Sequence, residues 1–290
     1  RPVPIGVPAV RADAVNAPLR TATISQTDAG TGGQASAPEI LRIEPAEGAR
    51  LAGSQSQLVH ANNFRGYSAA ACGEPSGSIW LVGGATTVGR TTILTIQNPT
   101  EVAAQVTLGI YGEEGRISAP GMNGIDVPPG SQRVLSIAGF APGLASPVVH
   151  VEARGGQVVA YLQQSIVRGL DAAGVDLVDA SPGPATEVTI PGVRIFDAVG
   201  TNRAMSLEDW DDVVPIVRLF NPGPEATSAT VSVTPVDRDA EGTSFPVELE
   251  PGVTVDLPLD SAIEAESGVA LADGVYTVTA QSDRPILAGG

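Results

Sequence analysis

The chain carries one pattern twice. Ile93-Leu94-Thr95-Ile96-Gln97-Asn98-Pro99 aligns with Ile216-Val217-Arg218-Leu219-Phe220-Asn221-Pro222, 123 residues later, and Pro129-Gly130 aligns with Pro251-Gly252, 122 residues later. In both copies a β-branched run ends at Asn-Pro and an alternating run follows, Val106-Thr107-Leu108 in the first and Val231-Ser232-Val233 in the second. An acidic turn and a Pro-Gly turn come next. Asparagine tolerates turn conformations, and proline fixes φ while removing a ladder donor, so each Asn-Pro pair predicts a strand end. A duplicated unit of strands and turns restricts the chain to an all-β architecture.

The rest of the sequence extends this reading. Short aliphatic runs bounded by turn residues predict strands at 79–82, 92–97, 104–110, 125–127, 133–137, 148–153 and 158–165, then at 187–190, 215–220, 228–234, 245–249, 254–257, 274–280 and 286–288. Glycine (34) and proline (24) make up a fifth of the 290 residues, which disfavours long helices. Seven strands per copy predict two tandem immunoglobulin-like β-sandwich domains, 67–184 and 185–290, after an N-terminal extended arm and strand over 1–66. The arm opens on Arg1-Pro2-Val3-Pro4-Ile5-Gly6-Val7-Pro8, where proline recurs too often for a helix, and its strand is expected at Ile40-Leu41-Arg42-Ile43-Glu44. Alternation places Ile93, Leu94, Ile96, Val106 and Leu108 in the first core and Val217, Leu219, Val231 and Val233 in the second.

Charge narrows the partners. Sixteen cations, all arginine, face 32 carboxylates, and a net charge of -16 repels phosphate backbones and anionic headgroups, so no nucleic-acid partner is expected. No run approaches the length of a bilayer-spanning helix. Arg1 is preceded by no charged and apolar leader, so the sequence is expected to be a processed chain from which an export signal or anchor has been removed. Cys72 stands alone, which excludes an internal disulfide and predicts a cysteine packed among small residues.

From Trp80 to Arg168, the motifs Trp80-Leu81-Val82-Gly83-Gly84, Leu94-Thr95-Ile96-Gln97-Asn98-Pro99 and Val127-Pro128-Pro129-Gly130 resemble a family of large secreted actinobacterial proteins of unknown function. The resemblance implies export and a cell-envelope location, and it brings no catalytic residues with it.

Candidate chemistry is sparse. Gly84-Ala85-Thr86-Thr87-Val88-Gly89-Arg90-Thr91 follows the spacing of a phosphate loop with arginine for lysine, yet it leads into a β-branched strand instead of a helix, so it reads as a glycine-rich hairpin. Asp237, Asp239, Glu241 and Glu248 match the carboxylate spacing of a calcium loop, and calcium is the one cofactor the sequence suggests. Strand-like flanks and Pro246 favour a solvated acidic hairpin instead. Asp209, Trp210 and Asp211 lie in an insertion of the second copy, where an indole among carboxylates could stack on a sugar or bind a cation. His60 and His150 are the only imidazoles, and no nucleophile elbow or zinc spacing accompanies them. The expected protein is therefore a non-catalytic exported envelope scaffold or binding module with an envelope protein or polysaccharide partner. The alternative is a carbohydrate-binding accessory of envelope polysaccharide metabolism that uses Trp210 or Trp80 as its platform.

Overall fold

Period-2 alternation becomes two facing sheets wherever both copies bury one side of each strand. The computed structural model describes residues 3–4, 53–61, 64–204, 213–237, 242–268 and 272–289. In the first repeat one sheet has the order β1 (Val3–Pro4), β9 (Ser131–Ser136), β5 (Arg90–Asn98), β11 (Val159–Arg168), β12 (Asp171–Val178). The other has the order β4 (Ser78–Val82), β10 (Val148–Gly155), β6 (Ala104–Gly112), β7 (Gly115–Ile117), with β8 (Ile125–Val127) also paired to β6. Leu94, Ile96 and Leu162 from the first sheet meet Leu81, Val106, Leu108 and Val151 from the second in one buried cluster. Ile93 lies outside that cluster and is only half-buried, because its side chain leaves the opposite face of β5.

The pairings recur in the second repeat. β18 (Gly274–Gly289) lies between β13 (Ala185–Ile195) and β15 (Thr227–Pro235), and β15 also pairs with β16 (Thr243–Leu249). The end of β18 turns onto β14 (Ile216–Phe220), which pairs on its other side with β17 (Thr254–Pro258). Val217, Leu219, Val231 and Val233 are all buried in the second cluster, alongside Ile263 of α2 (Leu259–Ser267). A short helix, α1 (Ala198–Ala204), follows β13. Counting β4, β5, β6, β8, β9, β10 and β11 as strands one to seven of the first repeat, and β13, β14, β15, β16, β17 and the two ends of β18 as those of the second, both repeats place strand one on six, six on three and three on four, with two between five and seven. In an immunoglobulin domain strand one pairs with two and strand seven with six, so the expected immunoglobulin-like order is corrected here. Alternation marks which side chains face inward, and it is identical whichever neighbour the backbone pairs with.

The Asn-Pro and Pro-Gly motifs of each repeat touch one another. Asn98 is fully buried, and its Nδ2 donates to Val102 O (2.8 Å) and Val127 O (2.9 Å) while its Oδ1 accepts from Thr100 N and Oγ1. Its backbone carbonyl accepts from Gly130 N at 3.0 Å. Asn221, equally buried, repeats the set with Glu225 O, Leu249 O, Gly223 N and Gly252 N. Gly130 (φ 59°) and Gly252 (φ 71°) occupy the left-handed region, which explains why each turn is Pro-Gly. The motif is thus an internal staple as well as a strand end.

The N-terminal side differs from expectation. β2 (Ser54–Ala61) and β3 (Phe64–Ala71) form a hairpin, so the predicted boundary at residues 66 and 67 cuts through β3. The strand expected at residues 40–44 lies outside the described residues. Cys72 follows β3 and is exposed, contrary to the packed position expected for it. Among the described residues no helix is long and apolar enough to cross a membrane.

Candidate functional site

Of the calcium-loop residues, Asp237 lies exposed just past β15 and Glu248 lies exposed in β16. Their separation is set by register: Thr243 pairs with Val233 at the hairpin end, whereas Glu248 pairs with Ser228. Five residues of extended chain carry Glu248 about 17 Å from Thr243 at the hairpin end. Asp239 and Glu241 lie outside the described residues, as do Asp209, Trp210 and Asp211. Among the described residues no three His, Cys, Asp or Glu side chains group closely enough to hold a metal ion.

The acidic turn of the first repeat is bonded back onto the fold. Gly112 pairs with Gly115 across a two-residue turn, and Glu113 accepts from Ala145 N (3.2 Å), Ser146 N (3.4 Å) and Ser146 Oγ (3.0 Å). Partial burial by itself would raise this carboxyl, but its own backbone N–H together with these donors outweighs that effect and holds it below its ordinary 4.5. Ser146 Oγ also lies 2.9 Å from Thr254 Oγ1, so the bonded chain reaches the second repeat. The linkage sign follows: a depressed folded value contributes stability in full above 4.5, and that contribution is lost as pH falls through the folded value. Glu113→Gln should therefore flatten the acid limb of stability against pH, read as a smaller change in melting temperature on acidification than in wild type.

The most highly organised polar group lies where the repeats meet. Arg218 of β14 is only 5% exposed, and each of its five N–H donors has an acceptor. Nε and Nη2 grip Asp256 at 2.7 and 2.9 Å, Nη1 donates to Gly84 O (3.0 Å) and Pro147 O (2.9 Å), and Nη2 donates to Ala145 O (3.2 Å). Three of the five bonds therefore end on backbone carbonyls of the first repeat. A buried guanidinium is tolerable only under such complete pairing, and its planar fork fits a bidentate carboxylate in a way that lysine cannot.

Beside Arg218, Phe220 is fully buried against Val82, Val148 and Leu287. Its ring centre lies 4.8 Å from that of Tyr111 and 5.7 Å from that of Trp80. Trp80 stacks on His150 at 3.8 Å with the rings 2° from parallel, an alignment set by their direct pairing across β4 and β10. His150 Nε2 bonds Ser78 Oγ at 2.8 Å. Burial first, and then Arg116, lowers its proton affinity below that of an ordinary imidazole against the opposing pull of Glu152, which keeps the ring neutral near pH 7. Trp80 and His150 are thus committed to packing, and Trp80 has one ring face already covered.

Arg218 and Phe220 were visible in the sequence only as departures within the repeat. They replace Thr95 and Gln97 of the first copy, on the strand face turned away from Val217 and Leu219. A charged and an aromatic residue at otherwise polar positions of a repeated strand were the available signal.

Comparison with known proteins adds a family. The model of a family of unknown function, DUF5719, matches residues 14–289. No curated protein matches the chain. Among solved structures, the Anabaena sensory rhodopsin transducer is similar over 38% of this chain and 97% of its own, at 15% identity and a TM-score of 0.28.

Proposed function

The chain belongs to the family of unknown function DUF5719, and from that premise we propose that it is a non-catalytic, exported scaffold or binding module of an actinobacterial cell envelope, made of two tandem sandwich modules held as one stiff body. The observation that carries the reading is Arg218, whose five donors are all engaged at the junction of the repeats. Flexible linkers are the default between modules, and a desolvated, fully paired cation is an uncommon way to suppress their motion. A stiff two-module body suits a spacer or a platform that must hold a partner at a fixed place. His150, which general-base chemistry would require to be free, is stacked and bonded instead. The net charge of -16 favours solubility outside the cell and partners other than polyanions.

Fractionation of the source organism expressing the tagged chain tests the location: recovery in the envelope or culture medium is expected, and recovery confined to the cytosol would overturn the proposal. Co-sedimentation of the purified chain with insoluble envelope polysaccharide, compared with capture by envelope protein extract, then decides the class of partner.

A further inference from the structure

In the first repeat, one outer sheet face is an interface. Val82, Val148 and Tyr111 are neighbours across β4, β10 and β6, and Phe220 and Leu287 of the second repeat pack on them. The second repeat presents the equivalent face to solvent. Extending the alignment of Val106 with Val231 along β15 sets Val236 in the place of Tyr111, and because Val236 N donates to Val275 O at 2.8 Å, Val275 takes the place of Val148. Arg194, paired with Val275, takes the place of Val82. Val236 and Val275 are 57% and 39% exposed, and Phe196, two residues beyond Arg194, is 71% exposed. Scattered surface aliphatics are ordinary, but these coincide with a buried interface of the sister repeat.

The junction also shows what kind of surface covers such a face. In the second repeat it is the outer face of β14, β17 and the end of β18, which supplies Phe220, Thr254, Leu287 and Gly289. The first repeat has the same three strands in β5, β9 and β11, and their outer face changes toward neutral side chains. Thr95 stands in the place of Arg218, and its partner Val134 stands in the place of Asp256. Val134 is 52% exposed. Tyr161, the other partner of Thr95, stands in the place of Gly289. Gly289 lies so close to Val82 that an added Cβ would come within 2.9 Å of it. A matching contact sets Tyr161 against Arg194, and a guanidinium on a phenol ring is an attractive pair.

We propose that the Val236, Val275 and Phe196 face docks a second copy of the chain, which presents the β5, β9 and β11 face of its first repeat, so that the stacking within one chain continues between chains. With Thr95 and Val134 in place of an ion pair, that face has no buried salt bridge to desolvate, and apolar contact is left to hold the copies together. The contact joins two different surfaces, so it is heterologous and builds head-to-tail rows instead of a closed dimer. The net charge of -16 on every copy opposes association, and salt should relieve that opposition. This inference goes beyond the scaffold reading and does not depend on where the protein resides.

Sedimentation of the purified whole chain over a range of concentrations, at an ionic strength that screens its net charge, provides the test. Wild type is expected to form dimers and then longer species as concentration rises. Val236→Asp/Val275→Asp blocks one face and Val134→Asp blocks the other. Each variant alone should associate at least about tenfold more weakly, with a melting temperature close to that of wild type, since all three positions are exposed. Mixing the two variants separates head-to-tail contact from any other: each keeps the face that the other lacks, so the mixture should form a one-to-one dimer and nothing longer. Val236→Thr/Val275→Thr retains branched side chains suited to a strand and should weaken association by a smaller factor without disturbing the fold. A wild type that stays monomeric at every concentration, a closed dimer that never grows, aspartate variants that associate like wild type, or a mixture that fails to pair while wild type associates would each overturn the proposed contact.

Discussion

Arg218→Ala should destabilise the protein by about 3–5 kcal/mol, the range for breaking a buried ion pair by deleting one partner. The variant leaves Asp256 without its bidentate partner and three carbonyls, those of Gly84, Ala145 and Pro147, without these donors in a desolvated junction. Urea unfolding is the measurement. Wild type is expected to unfold in one transition, because the junction couples the repeats, and the variant should separate into two as the second repeat loses its hold on the first. Arg218→Lys keeps the charge but offers three donors from a single point, so it should recover little. Removing the stranded carboxylate as well, in Arg218→Ala/Asp256→Ala, should restore part of the loss. A loss below about 1 kcal/mol in the single variant, the level of an exposed ion pair, would mean that solvent reaches the site and that the junction is not dry.

Asn98→Ala and Asn221→Ala should each cost about 2–4 kcal/mol, since each deletion strands a buried carbonyl, Val127 O or Leu249 O, and removes the part-buried bonds that close the same turn. Asn98→Asp and Asn221→Asp distinguish the staple from a simple turn preference. Aspartate adopts the same turns as asparagine but has no N–H for Val127 O or Leu249 O, and it would place a charge in a fully buried site. If turn propensity were the whole role, the aspartate variants would unfold close to wild type in urea. The staple requires them to be at least as unstable as the alanine variants.

Much of the secondary structure was legible because it depends on local pattern. The strands at 92–97, 104–110 and 228–234 fall within β5, β6 and β15, the strand at 215–220 overlaps all of β14, and of the core positions read from their alternation only Ile93 is not buried. The elements that escaped have weak local signals. β3 reads Phe-Arg-Gly-Tyr-Ser-Ala-Ala-Ala, with few branched residues, and β12 carries glycine and two aspartates. α2 contains two glutamates and two alanines, residues that favour helix, yet it sits in a chain whose turn density argued against helices.

The candidate sites were less legible. Carboxylate spacing suggested a metal loop at Asp237, and sequence spacing carries no information about direction in space: Glu248 lies within the extended strand β16. Glu113 belongs to the acidic turn of the first copy. Its partners Ala145 and Ser146 are more than thirty residues away in the chain, and no local rule could bring them together.

By itself, the sequence determined the all-β character, the duplication, the positions of most strands and the inward face of each, because these follow from side-chain period, branching and turn chemistry within a few residues. Tertiary structure alone decided which strands became neighbours, how the Asn-Pro and Pro-Gly turns close on each other, and that the outer face of β14 became a buried junction. The physical reason is that burial of Arg218 requires five acceptor contacts from four residues in three separate segments of the chain, and only the folded arrangement of both repeats supplies them.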